Sequence, residues 1–409
     1  MTHPAPNFGQ TLQGEEAALR FRPSRPFRYP DDFPWKGALH ARAVPVIMFK
    51  ASALPNTSLS QPIGKEQLFT AAQRLLALYR NLNLEPIFVL PADTLPKEHK
   101  KKGKKNGLSD LARKISLLGG RITLLSDEGD IWKAVESLVS DPVLFHPAAF
   151  PYTRRSTLCC LFERAAKAPD ISHCPCSLAG AGWPLYLAKR DLALLAEGKT
   201  TLEAIVPKAQ DQELLDELST LPLSPLQKKD AKLLQQRLSP QEALALLRFL
   251  EIPKRGIAHA MAVGHTARAL AIHYLFRGEA LDEELSCAAG YVHDIAKGFG
   301  HHERIGGFFL DFLGLSDLAR CVRDHRDLVL AQDEAVSPRE LVYLADKYCF
   351  GPRFVPLEQR FGMKMELFAE NPKAVAGIEK RLSHALALEK RIRRELRKSP
   401  ADIARDTLN

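Results

Sequence analysis

The chain has no run of about 18 uncharged apolar residues, the length of a membrane-spanning helix, so a membrane protein is not expected. Its N-terminus, MTHPAPNFGQTLQGEEAAL, lacks the basic stretch and apolar core of a secretion signal, which argues against export. Cysteine is sparse. Seven residues in 409, without framework spacing, exclude a disulfide scaffold and suggest reduced thiols in the cytoplasm. Internal repeats are absent, and a lysine run is the only low-complexity tract. The remainder, 45% hydrophobic and 26% charged, is ordinary for a globular protein. A length of 409 residues exceeds a typical single domain, so two domains are expected.

The net charge of +9 is partly concentrated in KEHKKKGKK (Lys97–Lys105) and EKRIRRELRK (Glu389–Lys398). Such runs can be a footprint for a polyanion. No aromatic residue interleaves with Lys97–Lys105 and no nucleic-acid motif accompanies it. A solvated loop and a solvated helix face are the simpler reading, and a nucleic-acid partner is not expected.

Residues 1–42 are rich in Pro, Phe and Arg without periodicity and read as an irregular arm. From Ala43 the pattern changes. Short apolar runs, VPVIMF (44–49), EPIFVL (85–90), RITLL (121–125) and DPVLF (141–145), read as buried strands. Between them KEQLFTAAQRLLALYRNL, LSDLARKISLL and DIWKAVESLV carry apolar residues at helical spacing. This alternation predicts an α/β domain with a doubly wound parallel sheet over 43–207. Residues 208–238 are polar and Leu-punctuated and read as a helical connector. SPQEALALLRFL, from Ser239, starts with a Ser cap, Pro in the first turn and Glu three residues after the cap. Strand signals then vanish. An all-α domain is expected over 239–395, with a tail at 396–409 and the domain boundary near 230.

The helical half carries the chemistry. AHAMAVGHTARALA, AAGYVHDIAKG, GHHERIGGFFLDFLG, CVRDHRD and LVYLADKY each place histidine or aspartate in apolar surroundings. Imidazole and carboxylate suit Fe, Mn and Zn, and burying several of them is unfavourable unless something neutralises them. His259 shares an apolar helical face with Val263, Ala267 and Leu270. His265 lies about 240° round that helix, and His273 is about four turns along it, too far to share an ion with His259. The small residues before His293-Asp294 allow a neighbouring helix to pack closely.

HAMAVGHTARALA, AAGYVHDIAKG and LVYLADKY together resemble the HD superfamily of metal-dependent phosphohydrolases, over roughly 240–390. The resemblance implies His259, His293, Asp294 and Asp346 as metal ligands. Members with two extra histidines hold two ions, and His302 and His325 match those positions, with His301 adjacent. HDIAK departs from the commoner HDIGK at Ala296. The implied cofactor is a divalent metal, two ions of Fe or Mn before Zn or Mg. Asp294 would bridge them and orient the nucleophile. Lys297 would stabilise charge on the phosphate, with Arg304 and Arg326 as further cations.

The first half has a likeness too. DPVLFHPAAFPYTRRSTLCCLFERA followed by GAGWPLYLAKRDLALL resembles the molybdopterin nucleotidyltransferase family, over about 43–207. Its functional positions have changed. Ala51 to Gln61 contain no glycine for a phosphate cradle, with Gly64 the first. The family's metal-binding Asp falls at Ala149, and the His of its G-H-P turn at Trp183. Lys65 has no assignable role. His173, Cys174 and Cys176 (HCPCSLAG) suggest a buried, reduced loop rather than a metal site, and Cys159-Cys160 suggest packed helical residues.

The expectation is a phosphohydrolase acting on a phosphoester or phosphoanhydride of a nucleotide-like small molecule, fused to a non-catalytic nucleotidyltransferase-like domain. Two rivals are a nucleotidyltransferase of molybdenum cofactor biosynthesis with a regulatory HD domain, and a non-enzymatic cofactor-maturation factor.

Overall fold

The computed structural model describes residues 43–49, 65–91, 107–125, 131–221, 233–328 and 335–409. The N-terminal arm, the loop Ala51–Gln61 with Gly64, and the lysine run Lys97–Lys105 lie outside the described residues.

The first half is α/β. β1 (Val44–Met48), α1 (Lys65–Arg80), β2 (Ile87–Pro91), α2 (Gly107–Leu117), β3 (Arg121–Leu125), α3 (Ile131–Leu138) and β4 (Val143–Pro147) follow the alternation of apolar runs and helical segments. Next come α4 (Arg155–Lys167), β5 (Cys174–Ser177), β6 (Gly180–Ala181) and β7 (Leu185–Leu187). The main sheet runs β3-β2-β1-β4-β7. β1 pairs in parallel with both β2 and β4, and β2 with β3. β4 is buried throughout and β1 at four of its five positions, which is why both read as continuous apolar runs.

After α5 (Lys189–Ala196) and α6 (Leu202–Ala209) the described part of the expected helical connector is only partly helical. Gln210–Leu215 is β8, paired in parallel with β5 and preceding a short 3-10 turn at Glu217–Thr220. The segment reads as polar and Leu-punctuated because only Leu214 and Leu215 in it are apolar. The pairing partner, not the local pattern, makes it a strand. The Cys174–Cys176 segment is likewise strand rather than loop. Cys159 and Cys160 are buried in α4, as expected.

Two compact units result, interleaved in sequence. One comprises Met1–Pro151, Phe162–Ser172 and Tyr186–Glu203, and the other Tyr152–Leu161, His173–Leu185 and Ala204–Asn409. A single boundary near 230 is therefore replaced by several crossings, and the physical reason lies in the second unit. There Arg154 donates to Asp216 Oδ1 at 2.5 Å and to Glu242 Oε1 at 2.6 Å, all three side chains buried. Thr157 adds a bond to Asp216 Oδ2 at 2.6 Å. A buried triad of this kind holds together only if every charge is paired.

The rest of the second unit is mostly helical. It contains α7 (Pro240–Phe249), α8 (Lys254–Phe276), α9 (Glu283–Val292), α10 (His302–Phe312), α11 (Ser316–Arg323) and α12 (Pro338–Tyr348). A two-stranded ribbon, β9 (Cys349–Phe350) and β10 (Arg353–Phe354), precedes α13 (Leu357–Leu367), α14 (Pro372–Leu396) and α15 (Pro400–Leu408). Ser239 and Glu242 form the capping box expected at the start of α7. The ribbon was not expected, and 396–409 is not a tail. Its helix α15 is capped by Ser399 and buries Ile403 and Ala404. No helix among the described residues is long and apolar enough to cross a membrane.

In the first unit, β4 carries a buried histidine. Phe150 O accepts from His146 Nε2 at 2.9 Å, so Nδ1 accepts from the Tyr79 hydroxyl at 2.6 Å. This ties the Pro147–Phe150 turn, where Ala149 packs, back to α1. Burial pushes the imidazole down to about 4. An unfolded histidine titrates near 6.5. The neutral ring therefore contributes stability in full above about pH 6.5, and that contribution is lost as pH falls towards 4. Urea unfolding of wild type and His146→Gln across pH 4 to 7 should differ in slope, the wild type losing about 3 kcal/mol more. Equal slopes would show that His146 is not held neutral.

Candidate metal centre

The centre begins with a close approach of two helices. A Cβ on Gly290 of α9 would stand 2.5 Å from Gly264 Cα of α8, and one on Gly264 would meet Tyr291 Cδ1 at 2.3 Å. The small residues before the His-Asp pair thus let the two backbones touch. His259, in the second turn of α8, then meets His293 at the end of α9, with ring centroids 5.2 Å apart. His293 is the C-cap of α9, so His293-Asp294 sits where the chain leaves the helix. His302 opens α10, His325 follows α11, and Asp346 lies near the end of α12. All six candidate ligands come together.

Asp294 is the hub. Its Oδ2 lies 3.5 Å from His293 Nε2 and 3.8 Å from His259 Nε2. Its Oδ1 lies 3.2 Å from His302 Nε2 and 3.6 Å from His325 Nε2. Asp346 Oδ1 completes the first set, 3.4 Å from His259 Nε2 and 3.7 Å from His293 Nε2. Within the centre, His259-His293-Asp346 and His293-Asp294-His325 each bring three ligand atoms within 4.8 Å of one another, close enough to hold a metal ion.

The outer contacts fix the rings. Gly351 O accepts from His259 Nδ1 at 3.1 Å, Gly290 O from His293 Nδ1 at 2.8 Å, and Val322 O from His325 Nδ1 at 2.7 Å. A carbonyl only accepts, so each proton sits on Nδ1 and each Nε2 turns a lone pair inward. Gly351, at φ +60, occupies the turn of the β9–β10 ribbon. The fully buried His293 Nε2 has no hydrogen-bond partner among the described residues. Such an atom is rare in a native protein and is the donor a cation would take.

The electrostatics agree. Burial opposes ionisation of Asp294, but His293, His302 and His325 outweigh it and hold the carboxyl far below its usual range. Burial likewise opposes charge on Asp346, and Lys347, His259 and Arg360 hold it well down. Burial lowers the His325 imidazole, favouring the neutral form that ligates. His293 is raised: burial opposes the charge, and Asp294 overcomes it. A bound cation would replace that proton.

His265 and His301 are not in the cluster. His265 Nε2 bonds the Tyr291 hydroxyl at 2.9 Å, on the other side of α8. His301 is in the left-handed region at φ 57 with its side chain 77% exposed, which selects His302 of the two. Lys297 ion-pairs with Asp294 and is otherwise exposed. Arg326 stands 4.0 Å from Glu303 Oε2, and Arg304 is exposed. Cys174 and Cys176 are buried at the β5–β8 pairing and take no part, and burial pushes the Cys174 thiol up to about 12.

Three functional neighbours escaped the sequence reading. Lys347, buried, donates to Asp346 Oδ2 at 2.7 Å and to His325 O at 2.9 Å, linking ligands from two helical segments. Arg360 Nη2 approaches Asp346 Oδ1 at 3.5 Å. Glu303 is buried 3.8 Å from His302 Nδ1. Lys347 and Glu303 each follow a ligand in sequence, which was a usable signal. Arg360 had none.

No protein-family model, curated protein or solved structure matches the chain.

Metal content after dialysis against Mn²⁺ should separate the two histidines of α8. His265→Gln should retain the wild-type content and His259→Gln should lose most of it. The reverse would place the wrong face of α8 at the centre. Lys347→Met should bind Mn²⁺ roughly 10–100-fold more weakly, the usual loss when an outer partner of a ligand is removed. Unchanged affinity would reduce Lys347 to a packing role.

Proposed function

We propose that the centre holds two divalent ions, Fe or Mn before Zn or Mg, and that the protein is a phosphohydrolase of the HD type. The substrate is a phosphoester or phosphoanhydride of a nucleotide-like small molecule. The observation that carries this reading is the split of Asp294, whose two carboxylate oxygens face separate histidine sets. A carboxylate so placed is suited to bridging two ions. The first set would offer one ion four donors; the second would offer His302, His325 and one Asp294 oxygen, and would leave room for water and substrate.

A divalent pair supplies charge stabilisation to a phosphate and lowers the pKa of water at the site. The chain's residues do the rest. Asp294 and the fixed Nε2 atoms preorganise the centre, so little reorganisation is needed when charge develops. Lys297, solvent-accessible and paired with Asp294, can swing to a phosphate oxygen. The order of sequence motifs, from His259 through the doublet to Asp346, adds the HD resemblance to the geometry.

The first half is read as a degenerate nucleotidyltransferase-like domain without catalysis. Ala149, where that family holds metal through an Asp, is buried and apolar. It cannot bind a cation.

Elemental analysis should give close to two ions per chain, falling towards one in His302→Ala or His325→Ala. With Mn²⁺, the full chain should turn over members of a panel of nucleotides and aryl phosphodiesters. Asp294→Asn should lower kcat by roughly a hundredfold or more, exceeding the loss of an outer partner. Lys297→Met should lower it by about tenfold, one charge-assisted hydrogen bond. Two bound ions with no turnover on any substrate would favour a binding protein instead.

A further inference from the structure

Several cations gather on the Asp346 side of the centre. Arg360 and Lys364 stand four residues apart on α13 and so share one helical face. Arg360 is buried. Its Nη1 donates to Cys349 O, its Nη2 reaches Asp346, and its Nε has no acceptor among the described residues. Lys347 holds the other oxygen of Asp346. Arg381, also nearby, is satisfied by Asp327 at 2.7 Å. Lys364 has no carboxylate within ion-pair distance among the described residues, and its amine lies 5.8 Å over the Phe361 ring.

Two like charges at this spacing repel and weaken a helix. The residue Lys364 is solvent-exposed, yet its amine is desolvated enough, and near enough to Arg360 and Lys347, to be pushed down to about 8. No ion pair of Lys364 among the described residues offsets this. Among the described residues Asp346 is the acid shared by Arg360 and Lys347, and it faces His259 and His293. Once it serves a cation there, the positive charge beside it has no internal counterpart.

We infer that Arg360 and Lys364 form an anion subsite beside the Asp346 half of the centre. It takes a second phosphate, linked to the one at the ions. This rests on the phosphohydrolase reading and narrows it. The substrate is a phosphoanhydride with at least two linked phosphates, rather than a lone phosphoester. Hydrolysis then consumes one water, whose oxygen bonds to the phosphorus at the ions. The bridging P–O bond breaks and the second phosphate leaves with its oxygen, one proton being released to solvent or retained on product. Guanidinium and ammonium groups suit such a product-side phosphate, the first by its planar fork and the second as a mobile point charge. Arg360 is the buried, fixed element and Lys364 the accessible one.

The test is calorimetric binding to Mn²⁺-loaded full chain, with AMP and the non-hydrolysable α,β-methylene analogue of ADP as probes. They share the nucleoside and differ in the second phosphate. Wild type should bind the diphosphate analogue about tenfold tighter than AMP, the worth of one charge-assisted contact. Lys364→Gln should bring the two ligands within about twofold of each other while leaving AMP unchanged, and Lys364→Arg should restore the preference. A Lys364→Gln chain that keeps the preference, or a wild type that shows none while binding AMP, overturns the subsite and leaves the phosphate reading intact. Failure to bind either ligand overturns both.

Discussion

Six ionisable side chains cannot be packed against one another unless their charges are offset, and the carboxylate of Asp294 is what makes this cluster feasible. It presents one oxygen to His259 and His293 and the other to His302 and His325. Remove it and four imidazoles face one another across about 5 Å between ring centres. The helical unit is arranged around that shared acid. The glycine contact between α8 and α9 brings the first two rings together. The chain then leaves α9 at the His293-Asp294 pair, returns with His302 at the start of α10, and passes again with His325 after α11.

A second layer gives the cluster its direction. Three backbone carbonyls fix the Nδ1 protons, so three Nε2 lone pairs point inward without relying on solvent. One of those carbonyls, Gly351 O, comes from the turn of the β9–β10 ribbon, which reaches back to α8. Lys347 closes the arrangement by joining the Asp346 carboxylate to the His325 backbone. The same lysine and Arg360 leave that side of the centre rich in positive charge, which connects the geometry of the ligands to the chemistry of what they meet.

The candidate ligands were legible in different ways: His259 and Asp346 interrupt apolar helical patterns, His293-Asp294 follows a run of small apolar residues, and His302 and His325 were assigned only through the order of motifs in the family resemblance. The capping box at Ser239 and Glu242 was legible because it is local. Glu242 also serves Arg154, and nothing within one turn of it could reveal that. β8 was missed because a strand of polar residues is defined by its neighbour, here β5. The interleaving of the two units was missed for the same reason, since it depends on Arg154 reaching Asp216, 62 positions away. Arg360 belongs to this class as well, a residue whose role exists only in three dimensions.

The claim on which the rest depends is that Asp294 lies between two ions. Anomalous scattering at the manganese edge, from crystals of the Mn²⁺-loaded chain, tests it directly. The account predicts two peaks about 3.5–4 Å apart, the usual spacing of a two-metal site, one on each oxygen of Asp294. A single peak, or two peaks with Asp294 bound to only one of them, would contradict it.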